Sequence, residues 1–308
     1  MKTRYLYLTV VIFSLALIFE SCKKDGSSAD YTTELSTQSD DQSQFSFETD
    51  AVANDADVAL ETTSFFSARL DQTQSLICDA TVAVDTLSNP KTITITYNGT
   101  NCFGNRTRTG AVVISMAGGV HWKNAGAVIT VTYQNLKITR VSDNKSITIN
   151  GAHTITNVSG GLLINLPVLG TITHAITSSG MSVTFDDNTQ RIWQVAKQRV
   201  FTYNNGVVIT TTGTYTDGTN THIAEWGTNR AGHTFTTSTL EPLVIRQDCN
   251  FRLVSGKIEH TLPHVNASVT FGLDISGNPT SCPGAGHYYF KVIWTGGTGN
   301  THSIILPY

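Results

Sequence analysis

Thr92-Ile93-Thr94-Ile95-Thr96-Tyr97 alternates a threonine with a large apolar residue over three full periods. In an extended chain successive side chains point to opposite faces. This segment therefore puts Ile93, Ile95 and Tyr97 on one face and three threonines on the other. The same period of two recurs at Val128-Ile129-Thr130-Val131-Thr132-Tyr133, Ser146-Ile147-Thr148-Ile149 and Val207-Val208-Ile209-Thr210. Each such run reads as a strand with one face on a core and a hydroxyl-rich face outward.

Glycine pairs and Asn-Gly or Asp-Gly steps punctuate these runs at Asn98-Gly99, Gly118-Gly119, Asn150-Gly151, Gly160-Gly161, Asn205-Gly206, Asp217-Gly218 and Gly296-Gly297. Asn-Gly and Asp-Gly favour tight hairpins because both central residues tolerate positive φ. A glycine inside a strand marks a bulge instead. The fold class predicted is all-β: a large antiparallel meander forming a twisted sheet, a sandwich or an open barrel, preceded by one short N-terminal helix. No linker follows residue 72, so 71–308 reads as one β domain.

Composition agrees. The chain has 308 residues, 40% hydrophobic and 14% charged, against roughly 25% charged for an average domain. A net charge of -3 gives no footprint for nucleic acid.

Upstream of the strands the pattern changes. Val52, Ala56, Ala59, Leu60, Phe66 and Leu70 approximate helical spacing, which predicts a helical segment over 45–70, one helix or two short ones, with Asp50 as a cap and Phe65, Phe66 and Leu70 packed on the sheet. Before it, GSSADYTTELSTQSDDQSQ (26–44) is nearly free of apolar residues. Residues 22–44 are accordingly expected to be a disordered tether. Residues 23–71 hold 11 acidic and 3 basic residues, whereas 72–308 hold 11 acidic and 15 basic. Read with the tether, that asymmetry describes an acidic stalk repelled by anionic lipid.

At the start of the chain, Lys2 and Arg4 precede an apolar run from Tyr5 to Phe19. The run is shorter than the roughly 20 residues needed to cross a bilayer and suits a secretory signal peptide over 1–21. Ser21-Cys22 follows directly and resembles a lipoprotein processing site. Cleavage after Ser21 would leave the Cys22 thiol and α-amine to carry acyl chains, each stabilising the anchored state by about 0.8 kcal/mol per buried CH₂. The expected location is the outer membrane through that lipid anchor, with the cell-surface and periplasmic faces both open.

Four further cysteines remain: Cys78, Cys102, Cys249 and Cys282. An even number in an exported chain predicts two disulfides. Three pairings exist, and proximity in sequence favours Cys78–Cys102 and Cys249–Cys282. The spacing lacks the Cys-x₂-Cys closeness of a zinc site.

Signatures of chemistry are sparse. His260-Thr-Leu-Pro-His264 has the i, i+4 spacing of a zinc helix, but Pro263 interrupts it and no glutamate follows the first histidine. His153, His174, His222 and His233 alternate with threonine and small residues, as solvent-facing strand positions do. Asp186-Asp187-Asn188 and Asp217-Gly218-Thr219-Asn220 read as turns before they read as calcium ligands. No Gly-x-Ser-x-Gly nucleophile turn is present. No catalytic residue, cofactor or metal set is therefore nominated. Trp193 is a candidate sugar-stacking platform, although a core position is the commoner role for tryptophan in a domain of this size. Arg106 and Arg108, two apart, share one strand face and are candidate ligand-binding residues.

The stretch DDQSQFSFETDAVANDAD, Ile77-Cys78-Asp79-Ala80, Asn98-Gly99-Thr100-Asn101-Cys102 with Arg106-Thr107-Arg108-Thr109-Gly110, and Asp248-Cys249 with Val254-Ser255-Gly256-Lys257 together resemble a group of β-rich surface lipoproteins of Gram-negative bacteria to which no activity is assigned. The likeness spans most of the mature chain. The end departs from the group's acidic Gly-Asp-Gly-x-Cys-Asp pattern, with Asn278-Pro279-Thr280-Ser281-Cys282-Pro283 in its place. The expectation is a membrane-anchored exported lipoprotein acting as a binding or structural envelope component, with a glycan or an envelope protein as partner. The alternative is a carbohydrate-active enzyme on a β scaffold.

Overall fold

The computed structural model describes residues 31–62, 77–280, 282, 287–297 and 299–308. One long helix, α1 (Thr32–Thr62), precedes a single antiparallel sheet. Its strands are β1 (Ala80–Asp85), β2 (Lys91–Thr100), β3 (Arg106–Met116), β4 (Ala127–Arg140), β5 (Ser146–Asn157), β6 (Thr171–Phe185), β7 (Gln190–Tyr203), β8 (Val207–Gly213), β9 (Ile223–Thr228), β10 (Thr234–Arg246), β11 (Arg252–Leu262), β12 (Val265–Leu273), β13 (Tyr289–Thr295) and β14 (Thr301–Pro307). The order is that of the chain, except that β8 and β9 share one position. β7 pairs with β8 through Lys197–Tyr203 and with β9 through Trp193–Val195, and β10 pairs with both. Residues 214–222 thus loop out of what is otherwise one continuous strand.

The sheet wraps around the helix. Laid flat at about 4.8 Å per strand, thirteen positions would span about 60 Å, several times the roughly 10 Å width of a helix. Yet α1 meets β3 through Glu48–Arg106, β4 through Asp40–Arg140 and β7 through Asp50–Lys197. It also stacks Phe47 on Tyr308, just past β14. Only a curled sheet reaches all four. Among the described residues, β1 and β14 do not pair with each other, so of the three arrangements the sequence allows, this is the open barrel. At about 1.5 Å per residue the 31-residue helix is about 46 Å long, close to the length of the longest strands.

Curvature is built in by glycine bulges. Gly110, at φ 106°, sits where the β3–β4 register slips between Thr109 and Ala111. A Cβ there would lie 2.3 Å from the Asn135 carbonyl oxygen. Gly272, at φ 77°, is tighter, with 1.9 Å to the Val254 oxygen. Such bulges bend and twist a strand. Asn98-Gly99 and Asn150-Gly151 lie within β2 and β5, so these two hairpin signals mark strand interiors. Asn205-Gly206 does turn β7 into β8.

The inward face carries the expected apolar set: Ile93, Ile95 and Tyr97 of β2, Ile129, Val131 and Tyr133 of β4, and Ile147 and Ile149 of β5 are all buried. Leu35, Phe45, Val52, Ala56 and Leu60 of α1 join them in one core. Both expected disulfides are present. Cys78–Cys102 ties the start of β1 to the β2–β3 turn, with Cα atoms 5.2 Å apart. Cys249–Cys282 ties the β10–β11 connection to the segment before β13, at 5.5 Å.

The helix corrects the expectations for 22–70. It is neither short nor confined to 45–70, and residues 32–44 are helical and mostly buried where a disordered tether was expected. Serine, threonine, glutamine and aspartate are mediocre helix formers, and an isolated segment of this composition would have no reason to be helical. Here the surrounding sheet supplies partners for most of its carboxylates and buries its apolar side chains. Phe65, Phe66 and Leu70, like residues 1–30, lie outside the described residues.

Candidate functional site

Most of the acidic side chains of α1 meet basic side chains of the sheet and its turns. Glu34, Asp40, Asp41, Glu48, Asp50, Asp55, Asp57 and Glu61 are its eight charged residues, and none is basic. Glu48 accepts from Arg106 Nε at 2.7 Å. Asp40 takes both Arg140 at 2.8 Å and Lys145 at 2.8 Å. Asp41 takes a bidentate Arg230 at 2.7 and 2.8 Å. Asp55 receives Arg108 at 2.7 Å and the Tyr97 hydroxyl at 2.8 Å. Glu34 meets His233 Nδ1 at 2.7 Å. Among the described residues Glu61 meets no cation, and it accepts the backbone N–H groups of Leu163 and Ile164.

Burial and pairing compete at each position. For Asp40, burial raises the carboxyl, but Arg140 and Lys145 outweigh it and hold it below its ordinary value. Burial wins at Asp41, which is pushed up to about 6 despite Arg230. It also wins at Asp57, raised to about 7 against the pull of Arg199. His174 Nδ1 lies 3.7 Å from Asp57, and burial lowers that imidazole to about 3 with Arg199 adding to the effect. At neutral pH His174 is therefore uncharged, and this contact is a dipolar one. Burial likewise lowers His153 to about 3 and His260 to about 4.

At the centre of the barrel stands a closed ionic cluster. Gln42, Ser46 and Asp50 recur every four residues along one face of α1. Against them lie Lys197 of β7 and Glu225 of β9, whose side chains are 2% and 0% exposed. Lys197 Nζ is 2.5 Å from Glu225 Oε1, 3.9 Å from Asp50 Oδ1 and donates to Ser46 Oγ at 2.7 Å. Gln42 Nε2 donates to the other Glu225 oxygen at 2.8 Å. Burial works against the Lys197 charge, but Glu225 and Asp50 more than restore it.

Among the described residues, a seam between the start of β3 and the β13–β14 edge leaves part of α1 uncovered. A cavity of about 780 Å³ opens there. Its lining includes an apolar and aromatic set, Phe47 and Val58 of α1 with Phe251, Tyr289, Leu306 and Tyr308, and a charged set, Asp40, Glu48 and Asp55 with Arg106, Arg108 and Arg140. The wall cations are all engaged with carboxylates, so the surface is strongly polar but close to charge-balanced. A second cavity of about 20 Å³ touches Gln42, Ser43, Ser46 and Asp50 and shares Phe47 and Asp50 with the first. It has room for about one water.

The sequence candidates divide accordingly. Arg106 and Arg108 do share the inward face of β3, and both line the seam cavity. Trp193 does not: it is fully buried, edge-on to Phe45 at 5.0 Å and Phe235 at 4.9 Å, with its indole N–H on the Thr228 carbonyl. It is a core residue and cannot stack on a ligand. His153 and His174 are buried on the inner face, not solvent-facing; His222 and His233 are exposed. His260 is buried against Thr237 while His264 sits in the exposed β11–β12 turn. Asp217 binds its own turn, accepting from the N–H groups of Thr219 and Asn220, and Asp186 and Asp187 face Arg230. The helix side of the cavity was missed: Asp40 because 22–44 read as tether, and Phe47, Glu48 and Asp55 because the helix expected over 45–70 was read through its apolar residues alone. The signal that could have found it is the charge asymmetry itself. Among the described residues no helix is long and apolar enough to cross a membrane, and Cys22 lies outside them. No protein-family model, curated protein or solved structure is significantly similar to this chain.

Proposed function

We propose that the protein is an exported, lipid-anchored envelope protein whose seam cavity binds an uncharged, hydroxyl-rich ligand of the oligosaccharide class. The observation that carries this reading is the make-up of the lining: aromatic rings together with carboxylates and guanidinium groups that already neutralise one another. A charged ligand would have to break those pairs. Neutral hydroxyls need not, because a carboxylate offers about four lone-pair sites and a guanidinium five N–H donors. Rings in the same lining can cover the apolar face of a sugar. The volume falls within the roughly 300–1,000 Å³ of small-molecule sites. Ser21-Cys22 behind an apolar leader supports the anchor.

The test is an array of uncharged oligosaccharides probed with the full chain, followed by calorimetry on any glycan captured. Binding that weakens at least tenfold in Phe47→Ala, with unchanged circular dichroism, is the expected result. No captured glycan, or capture indifferent to Phe47→Ala, would overturn the reading. Release of new reducing ends from a bound glycan would favour a hydrolase instead, since the same lining supplies carboxylates. For the anchor, Cys22→Ser is expected to move the protein from the membrane to the soluble fraction.

A further inference from the structure

We propose that the central cluster is a self-modification site, in which Lys197 and Asp50 condense after folding to an isopeptide bond with Glu225 relaying the protons. The inference is independent of the ligand reading above. It rests on three side chains from three elements, α1, β7 and β9, of which Lys197 and Glu225 are 2% and 0% exposed. Lys197 Nζ stands 3.9 Å from Asp50 Oδ1, beside the carboxyl carbon that it must approach to the about 3–3.5 Å of a near-attack arrangement. A small change in the long lysine side chain closes the difference. Glu225 is already in contact with the nitrogen at 2.5 Å, and Gln42 fixes its other oxygen.

The step balances without any co-reactant. Lys197 begins as an ammonium and Asp50 as a carboxylate. Proton transfer between them gives the neutral amine and the carboxylic acid from which the condensation starts. The amine lone pair then attacks Asp50 Cγ, forming the C–N bond. Glu225 takes a proton from the nitrogen and returns it to the departing hydroxyl. The Cγ–O bond breaks, and one water leaves. Ammonium plus carboxylate thus becomes amide plus water, with no change in oxidation state and no net proton released. The small cavity beside Ser46 and Asp50 adjoins the seam cavity and gives the water a way out. Holding amine and carboxyl in contact replaces a bimolecular encounter by an intramolecular one, and removing the charges offsets the ordinary preference of amides to hydrolyse. A solitary ion pair would need no second carboxylate; this lysine has two, of which one grips the nitrogen and the other presents its carbon.

Peptide mapping of the full chain decides the matter. After reduction and tryptic digestion, an acylated Lys197 is not cleaved. The expected product is Asp25–Arg69 joined to Ile192–Arg199, lighter by one water than the two peptides together, with fragment ions placing the link on Asp50 and Lys197. Unlinked Asp25–Arg69 and Ile192–Lys197 in full yield would overturn the proposal, and this measurement needs no variant. Glu225→Gln is expected to lower the linked species at least tenfold while the strand signature in circular dichroism persists. A linked yield unchanged in that folded variant would overturn the part given to Glu225.

Discussion

Arg108 is where the pairing of helix and sheet can be tested most sharply. Its guanidinium makes three charge-assisted hydrogen bonds: two to Asp79 at 2.7 and 2.6 Å, and one to Asp55 at 2.7 Å. It also lies over the Tyr97 ring, 4.2 Å from the centroid. The Arg108 side chain is 8% exposed and that of Asp79 0%. Arg108→Met keeps the bulk but leaves two carboxylates facing each other out of water. The least costly escape is to protonate one of them. For a carboxyl of ordinary pKa about 3.9, that costs about 4 kcal/mol at pH 7 and about 1.5 kcal/mol at pH 5. The first figure agrees with the about 3–5 kcal/mol seen when one member of a buried pair is removed. Urea unfolding followed by tryptophan fluorescence should therefore show a loss of about 4 kcal/mol at pH 7 that shrinks by more than half at pH 5. The triple variant Arg108→Met, Asp55→Asn, Asp79→Asn should recover most of it. A penalty below about 1 kcal/mol, or one that does not change with pH, would refute the claim that charge matching seats the helix.

Asp57 predicts a pH effect of definite sign. Its carboxyl is raised from 3.8 to about 7 in the folded chain, so the folded state holds the extra proton between those values. The stability this contributes is complete below pH 3.8 and is lost as pH rises through 7. In Asp57→Asn that loss is absent, and the variant should gain about 4 kcal/mol on the parent between pH 4 and pH 8, measured by urea midpoints at each pH. His153, His174 and His260 act in the opposite sense. Their lowered values give stability that is present above 6.5 and lost as pH falls toward 4 and 3. Replacing the pair Cys78 and Cys102, separated by 24 residues, with alanine should cost about 3–4 kcal/mol on chain-entropy grounds. Gly272→Ala would place a Cβ 1.9 Å from the Val254 oxygen at φ 77°, and should lower stability by more than about 2 kcal/mol; a neutral outcome in thermal melts would contradict the bulge geometry.

The strands were legible because alternation is a local property. Thr92 to Tyr97 needs no distant partner to declare its two faces, and Ile93, Ile95 and Tyr97 are buried as that alternation requires. The disulfides were legible for a similar reason, since each joins cysteines near in sequence. The helix was not. Gln42 meets Glu225 and Glu34 meets His233 across separations of 183 and 199 residues, and a segment whose stability comes from such partners looks featureless by itself. Its low apolar content, decisive for the tether reading, reflects a core sealed partly by ion pairs. The excess of acid before residue 72 and of base after it was visible; that the two halves interlock was not, because net charge carries no geometry. Arg106 and Arg108 were found by spacing on a strand, whereas Trp193 was misassigned because residue type alone does not tell an inward indole from an outward one.

The position of α1 also sets the order of assembly. The segment that ends up innermost leads the sheet in the chain, yet its ion partners run as far as Arg230 and His233, on the β9–β10 turn, and its ring contact reaches Tyr308. It cannot be enclosed before most of the meander exists. Pairings this distant belong to slow, high-contact-order folding. An emerging chain of this design stays hydrated at its leading end, because Ser, Gln and Asp there have no reason to collapse, and it commits to a shape only once the late strands close over it. Extracting the rod afterwards would mean unrolling the wall, so release of the one and opening of the other should be a single event in hydrogen exchange.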